Sequence, residues 1–355
     1  MEPVLVEIVM RRIIGALLVT MSLAPPLAAQ TGLVRYSEIC DASGAVALDG
    51  ETFLVVSDEI DRAKGEKKQN TGDTLVVYRR GTPAPIQKFP LKDFLPDASG
   101  DNDEADLEGV ARIGNTLYFI GSHARSRAGK GALFAPNRHV LFSAKLEPDA
   151  GKHKITPDGD APYRGLLADI LASSDVAENL RVASTLAPDA PGGFNIEGLA
   201  ATPGNGLFIG LRSPLIDGKA LVLSLEQPDK VLTGAPASFG ATARLDLGRR
   251  GIRALHWTGN EVLIVAGPVG EGKDPSFGTD FALFRWSGKA GEAATEIKNV
   301  AVNSLRPEAV FIFPGSKQGM LLSDDGTEQV KDKDCKNKET ARPDRSFRAL
   351  PFTLD

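Results

Sequence analysis

Carboxylate and arginine side chains recur at the ends of short apolar runs in this chain. Residues 106–125 show the pattern most fully, because Glu108 precedes one apolar run while His123 and Arg125 follow the next. The Gly114-Asn115 pair between the runs favours positive φ, so the stretch predicts a β-hairpin. A hairpin brings its two ends together. A carboxylate, an imidazole and a guanidinium are therefore expected at one sheet edge.

Four further stretches repeat the pattern of an apolar run, a turn and a second apolar run. When the five copies are aligned on their first apolar residue, one position becomes equivalent in all of them, occupied by Ser43, Glu108, Glu197, Arg253 and Glu308. A third strand-like run follows each hairpin, at residues 74–78, 139–146, 220–225, 281–286 and 347–354. A fourth run follows in all but the last copy, at residues 85–91, 180–186, 241–247 and 295–302.

These repeats predict an all-β fold, a β-propeller of five four-stranded blades. The last copy lacks a fourth strand, and an unassigned strand at residues 33–39 precedes the first copy. We therefore expect the N-terminal strand to complete the final blade, which removes exposed sheet edges. Residues 163–179 carry leucines at helical spacing and predict a helical excursion. The alternative is a sixth, degenerate blade at that place.

The innermost strand of each blade lines the tunnel of a propeller, so the equivalent residues should form a ring at one mouth. Carboxylates gathered around one axis repel each other unless a cation or a proton joins them. Their oxygen atoms suit calcium better than zinc, so calcium is the expected cofactor. Arg253 offers the alternative of a tunnel closed by ion pairs without metal. The expected metal ligands are Ser43, Glu108, Glu197 and Glu308.

The second strands of the hairpins should end on the same face as the ring. Their exits carry Asp58 and Glu59, His123 and Arg125, Arg212, and Asp324 and Asp325. Arginines can hold a phosphate or carboxylate, and a histidine can act as general acid or base. The predicted catalytic residues are His123, Arg125, Arg212 and Arg253.

The N-terminus has the features of a secretory signal peptide at residues 1–29, with two arginines before an apolar segment and small residues at its end. We therefore expect a periplasmic or secreted protein, a single propeller domain at residues 30–355, and no membrane span after cleavage. The only two cysteines, Cys40 and Cys335, flank the first and last repeats. In an oxidising compartment they predict one disulfide that ties the chain ends together.

Composition excludes several functional classes. The chain has 355 residues, a net charge of −5 and no basic stripe with interleaved aromatics, so a nucleic-acid partner is not expected. Nucleophile elbows, phosphate-binding glycine loops and zinc-binding His or Cys motifs are missing from the sequence. A small anionic molecule is the expected partner, and the chain is expected to be a monomer.

Local motifs resemble a bacterial family known only as domain of unknown function 3616. The resemblance rests on the segments around residues 41–59, 104–125, 136–139 and 195–212 and covers most of the mature chain. It implies a site but carries no assigned activity. The matching positions are Asp106, Glu108, Ser122, His123, Arg138, Glu197 and Arg212.

In architecture the predicted ring is similar, more distantly, to esterase-like phytases and to calcium-activated nucleotidase propellers, whose tunnel calcium is held by Glu and Ser. Arg253 departs from that pattern. Two hypotheses follow. One is a calcium-dependent phosphoester or ester hydrolase, in which arginines bind the oxyanion and His123 or a metal-bound water handles the proton. The other is a non-catalytic binding or scaffold propeller of the cell envelope with a structural ring. Sugar or lactone chemistry at a carboxylate pair is a third, weaker idea.

Overall fold

A computed structural model describes residues 32–57, 74–95, 104–128, 131–270 and 278–355. The predicted signal peptide and the predicted rim residues Asp58 and Glu59 lie outside the described residues. The first strand is β1 (Val34–Ser37), and the first blade follows it with β2 (Gly44–Ala47), β3 (Thr52–Val56), β4 (Thr74–Arg79) and β5 (Thr82–Pro90). These four strands pair in sequence order, so the blade is a simple antiparallel meander.

The second blade has the same order but contains an extra ribbon. It consists of β6 (Leu107–Ile113) and β7 (Thr116–Gly121), then the ribbon β8 (Ser126–Ala128) and β9 (Gly131–Leu133), then β10 (Leu141–Asp149) and β11 (Lys152–Tyr163). The ribbon is a separate two-stranded sheet between the second and third strands of the blade. It therefore sits directly after His123 in the chain.

Three short helices accompany the third blade. These are α1 (Leu166–Ser173), α2 (Ala177–Ala183) and α3 (Pro228–Leu232). The blade itself contains β12 (Asn195–Ala201), β13 (Leu207–Ser213), β14 (Ala220–Glu226), β15 (Ser238–Phe239) and β16 (Ala243–Leu245), with β15 and β16 both pairing with β14.

The last two blades complete the circle. They contain β17 (Gly251–Trp257), β18 (Val262–Gly267), β19 (Ala282–Trp286) and β20 (Thr295–Ile297), followed by β21 (Pro307–Ile312), β22 (Gln318–Ser323), the ribbon β23 (Gln329–Val330) and β24 (Lys333–Asp334), and β25 (Ser346–Thr353). Short 3-10 turns occupy Leu91–Asp93, Pro136–Arg138, Val302–Ser304 and Arg342–Asp344. No described helix is long and apolar enough to cross a membrane.

The prediction of five blades closed by the N-terminal strand is confirmed. Strand β1 pairs with β25 as the outermost strand of the last blade, with Val34 opposite Ala349. The innermost strands β2, β6, β12, β17 and β21 contact one another in a closed cycle. The alternative of a sixth blade is wrong, because the segment after β11 forms α1 and α2 instead.

One predicted strand is also wrong. The sequence predicts residues 180–186 as the fourth strand of the second blade, but most of that segment is helical, and β11 provides the strand. The burial pattern of residues 180–183 explains the difference, because Leu180 and Ala183 are buried while Val182 is 68% exposed. Burial at positions i and i+3 is the helical pattern, whereas a strand would bury i and i+2.

Five clusters of buried apolar residues fill the interfaces between neighbouring blades. Central strands are covered on both faces, which is why β3 and β18 are buried throughout rather than alternately buried and exposed. The interface between the last and first blades is aromatic. Tyr36 of β1 has its ring centroid 5.1 Å from that of Phe53 and 5.5 Å from that of Phe347.

A disulfide reinforces the same junction, as the sequence predicted. Cys40 precedes the first blade, Cys335 lies in the excursion before β25, and their Cα atoms are 5.8 Å apart. The backbone N–H of Asp325 donates to the carbonyl of Cys40 beside it. The ends of the chain are thus held by a strand pairing, an aromatic cluster and a covalent bond.

Candidate functional site at the tunnel ring

The five equivalent residues, here called the tunnel ring, are placed by irregularities in the innermost strands. In β6, β12, β17 and β21 the register shifts by one residue at the position of the ring residue, at Glu108, Glu197, Arg253 and Glu308. Such a bulge leaves one residue unpaired and redirects its side chain. Ser43 stands one position before β2 begins. The repeated bulge explains how one position in each blade reaches a common site.

The residue after each ring position is small because the innermost strands approach closely there. A Cβ added to Gly109 would lie 2.7 Å from the Cβ of Leu199, and one added to Gly198 would lie 2.8 Å from the Cγ of Leu255. Alanine fills the same place after Arg253 and Glu308. The Glu-Gly pairs in the sequence therefore combine a ring side chain with a packing requirement.

Arg253 occupies the centre of a chain of ion pairs that crosses three blades. Its Nη1 lies 2.9 Å from Oε2 of Glu197, and its Nη2 contacts Oε1 of Glu308. The side chain of Arg253 is 8% exposed, and those of the two glutamates are 4% and 8% exposed. Buried charges are stable only when they are paired, so these three side chains depend on one another.

Arg212 extends this network to the rim. Its Nη1 lies 2.8 Å from Oε1 of Glu197, and its other nitrogens donate to the carbonyls of Pro268 and Gly270. The side-chain amide of Asn195 also donates to Oε1 of Glu197, at 2.8 Å. Both carboxylate oxygens of Glu197 are thus engaged. The sequence did not predict Asn195 as a site residue. It lies two residues before Glu197 in the same strand, β12.

Burial and neighbouring charges shift the pKa values of the two arginines in this network. Burial lowers the pKa of Arg253, and the neighbouring guanidinium of Arg212 lowers it further, against the opposing effect of Glu197. Burial also opposes the charge on Arg212, but Glu197 raises its pKa above the ordinary value. The two arginines bind different oxygen atoms of the same carboxylate.

Two further acidic side chains, Asp324 and Asp41, lie close to each other near the ring. Burial would raise the pKa of Asp324, but a side-chain hydrogen bond with Asp41 and one from the backbone N–H of Gly326 hold it below its ordinary value. The Gly326 nitrogen is 2.8 Å from Oδ1 of Asp324. Asp325 has a structural role instead, since its carboxylate accepts two hydrogen bonds from the guanidinium of Arg348.

A cavity of about 10 Å³ lies among the ring residues, lined by Ser43, Glu108, Glu197 and Glu308 together with small and apolar neighbours. That volume is near the smallest that holds one water molecule, so an organic substrate does not fit there. Among the described residues, no three acidic, histidine or cysteine side chains converge as metal ligands. In this arrangement Arg253 contacts two of the expected calcium ligands, Glu197 and Glu308.

The two other predicted catalytic residues lie apart from the ring network. His123 is 1% exposed, and its Nδ1 lies 2.9 Å from the carbonyl oxygen of Gly121. Arg125 donates to the carbonyls of Ser184 and Ala132. His123 is thus held within the second blade, whereas Arg125 joins the ribbon to the end of α2.

Three positions implied by the family resemblance form a separate cluster at the entrance of β6. Arg138 pairs with Glu104 and lies 3.0 Å from Oδ2 of Asp106, which also accepts a hydrogen bond from Ser122. The backbone of Asp106 has φ +50°, a left-handed conformation, and its carbonyl accepts the N–H of Ser122 at 2.9 Å. This cluster fixes the two ends of the hairpin against each other.

Comparison with known proteins shows where the chain belongs. The family described as "Protein of unknown function (DUF3616)" matches residues 43–142 and 165–318. The chain is a member of this family. The matched segments of the DUF3616 chain include all five ring residues. No curated protein matches it.

Solved structures resemble the DUF3616 chain in fold. A GH43_1 enzyme from Xanthomonas citri is 10% identical with a TM-score of 0.44, covering 91% of this chain and 89% of that one. A Thermus thermophilus protein described as an oxidoreductase (glucose dehydrogenase) is 12% identical with a TM-score of 0.40, covering 90% and 100%. Trypanosoma rangeli sialidase is 12% identical with a TM-score of 0.40, covering 81% and 43%.

Proposed function

We propose that this protein is a non-catalytic binding or scaffold propeller of the cell envelope, and that its tunnel ring is a structural ion-pair network. The observation that carries the proposal is the guanidinium of Arg253, which bridges Glu197 and Glu308. In this arrangement the arginine supplies the positive charge that the ring would otherwise need from a metal. Binding would then use the outer surfaces and loops of the blades.

The small size of the ring cavity supports the same proposal. A volume of about 10 Å³ leaves no room for a substrate between the carboxylates. Catalytic carboxylates must reach reacting atoms, whereas Glu197 accepts hydrogen bonds at Oε1 and is ion-paired with Arg253 at Oε2. Its partners come from its own blade and from the next one, which suits a role in joining blades.

A calcium-dependent phosphoester or ester hydrolase acting on a small anionic molecule is the second candidate. What supports it is an excess of negative charge near the mouth. Glu108 and Asp324 lie close enough to Arg212 and Arg253 to influence their pKa values, in addition to the two paired glutamates. Calcium at the ring would have to replace Arg253 as the partner of Glu197 and Glu308.

Calcium binding separates the two candidates. Isothermal titration of EDTA-treated protein with Ca²⁺ should show no stoichiometric binding, and added Ca²⁺ should leave the urea midpoint unchanged. One calcium per chain, lost in Glu308→Gln, together with calcium-dependent hydrolysis of a phosphate or carboxylate ester, would overturn the scaffold proposal. Glu178→Gln is the matched control, because its pairing with Arg181 is exposed.

A further inference from the structure

The four histidines of the chain divide into two groups according to the hydrogen bonding of their Nε2 atoms. Nε2 of His153 lies 2.7 Å from Oγ1 of Thr52, and Nε2 of His256 accepts the backbone N–H of Ile312 at 3.1 Å. The Nε2 atoms of His123 and His139 are buried and have no hydrogen-bond partner among the described residues. Buried polar atoms in native proteins are almost always paired, so two unpaired nitrogens in one place call for a ligand.

The two unpaired imidazoles are neighbours. His123 follows β7 and His139 precedes β10, and the pairing of these strands places them side by side, with ring centroids 5.3 Å apart. They are 1% and 5% exposed. Two imidazoles that bind one zinc ion at 2.0–2.1 Å with tetrahedral geometry have ring centroids about 5 Å apart. The observed separation allows a shared ion, and it is also that of an ordinary edge contact between two rings.

The local structure prepares His123 for such a role. Its Nδ1 lies 2.9 Å from a carbonyl oxygen, which can only accept, so Nδ1 carries the hydrogen and Nε2 the lone pair. Histidine ligands of metals are held by the same kind of bond on their other nitrogen. The backbone of His123 has φ +53°, and its N–H donates to the carbonyl of Arg138 at 3.1 Å. A non-glycine residue in this conformation is strained, and its surroundings hold it there.

Both imidazoles are also in the neutral form that metal binding needs. Burial and, to a smaller extent, the neighbouring His139 lower the pKa of His123 to about 3. Burial and the positive charges of Arg125 and Arg164 lower the pKa of His139 to about 4.

The surroundings indicate what would complete the coordination. Arg125 and Arg164 are close enough to influence His139 electrostatically. A bound cation beside these guanidinium groups would favour an anionic ligand in its remaining positions. The ring of Phe134 lies 4.8 Å from that of His139 and is 63% exposed, so this side of the site borders solvent.

We propose that His123 and His139 bind one divalent transition-metal ion of the zinc class through their Nε2 atoms, with the remaining positions open to water or a small anion. Imidazole nitrogens select zinc, cobalt and related ions over calcium and magnesium. The site lies on the second blade and is separate from the tunnel ring. It does not depend on whether the ring is structural or catalytic.

Zinc titration of the EDTA-treated protein tests this site. Isothermal titration should give one Zn²⁺ per chain, and Co²⁺ should give the visible absorption of a low-symmetry site. His123→Gln and His139→Gln should each weaken Zn²⁺ binding at least tenfold. His153→Gln should leave it unchanged, because His153 lies elsewhere on the surface of the first and second blades. Ca²⁺ and Mg²⁺ should not compete.

Long-range ¹H–¹⁵N spectra of the wild-type imidazoles keep the test decisive if either variant fails to fold. Zinc should shift the Nε2 resonances of His123 and His139 and leave those of His153 and His256 in place. Unshifted His123 and His139 resonances at saturating Zn²⁺ would overturn the proposal in favour of a bridging water. Zinc binding that survives both substitutions would also overturn it.

Discussion

Nη1 of Arg253 lies 2.9 Å from Oε2 of Glu197, and this contact joins the fourth blade to the third across the tunnel. The same guanidinium contacts Glu308 of the fifth blade. One side chain thus connects three of the five innermost strands at the level where their registers shift. The stability of the closed circle should depend on this arginine.

Replacement of Arg253 by methionine should lower the free energy of unfolding by about 3–5 kcal/mol, because it leaves two buried carboxylates without a partner. Urea denaturation measures the change. Arg181→Met, which removes the exposed pair with Glu178, should cost less than about 0.5 kcal/mol. Combining Arg253→Met with Glu197→Gln and Glu308→Gln should restore part of the loss. Equal midpoints for Arg253→Met and wild type would contradict a structural role for the network.

Gly109→Ala should destabilise the protein by about 1–3 kcal/mol through overpacking. The added methyl group would lie 2.7 Å from the Cβ of Leu199 in the neighbouring innermost strand, and neither backbone can move without disturbing the ring. Thermal or urea denaturation checks this expectation. Gly50→Ala is the matched control, because a Cβ there meets nothing within 4 Å. A Gly109→Ala variant as stable as Gly50→Ala would show that the innermost strands are not tightly packed.

Loss of the disulfide should lower stability by about 3–5 kcal/mol, because it closes a loop with a sequence separation of 295 residues. The double variant Cys40→Ser/Cys335→Ser should unfold at lower urea concentration than the oxidised wild type. Reduced wild type serves as the control and should match the variant. If reduction left the midpoint unchanged, the strand pairing and aromatic cluster alone would hold the junction.

His256 should make the protein less stable at mildly acidic pH. Burial lowers the pKa of its imidazole to about 4 in the folded state, whereas the unfolded value is about 6.5. Unfolding therefore takes up a proton between these values, so stability is complete above pH 6.5 and falls as the pH drops towards 4. The loss for this one group is on the order of 3 kcal/mol or less.

The variant His256→Gln isolates that contribution, because its side-chain oxygen can still accept the N–H of Ile312. Urea midpoints measured from pH 7.5 to pH 4 should decline less steeply in this variant than in the wild type. Superimposable pH profiles would mean that His256 has no depressed pKa. The variant His153→Gln offers a comparison at a histidine that lies near the carboxylate of Asp49.

The architecture was readable from the sequence because the repeats are local. Turn pairs such as Gly114-Asn115 fix each hairpin, and equivalent positions in repeats must lie at equivalent positions around an axis. The predictions of Arg253 in the ring and of Arg212 on the same face of the propeller followed from this reasoning. The bulges did not, because the innermost strands are buried on both faces around the ring position and lack the alternation that an extra residue would interrupt.

Contacts that depend on the strand register between distant segments also could not be predicted from the sequence. His139 lies beside His123 only because β10 pairs with β7 after an intervening ribbon. The sequence predicts residues 180–186 as a strand, yet packing of Leu180 and Ala183 under the third blade makes the segment helical. In both places the structure is determined by packing between distant segments, which the local sequence does not specify.

Closure by β1 requires both ends of the described propeller. Until β1 and β25 are both available, the outer edge of the final blade exposes unpaired backbone groups that can recruit another chain. Pairing Val34 with Ala349 also requires contact between residues more than three hundred positions apart, which slows folding. Any chain that loses a few residues from either end of this pairing should survive as an open ring prone to self-association.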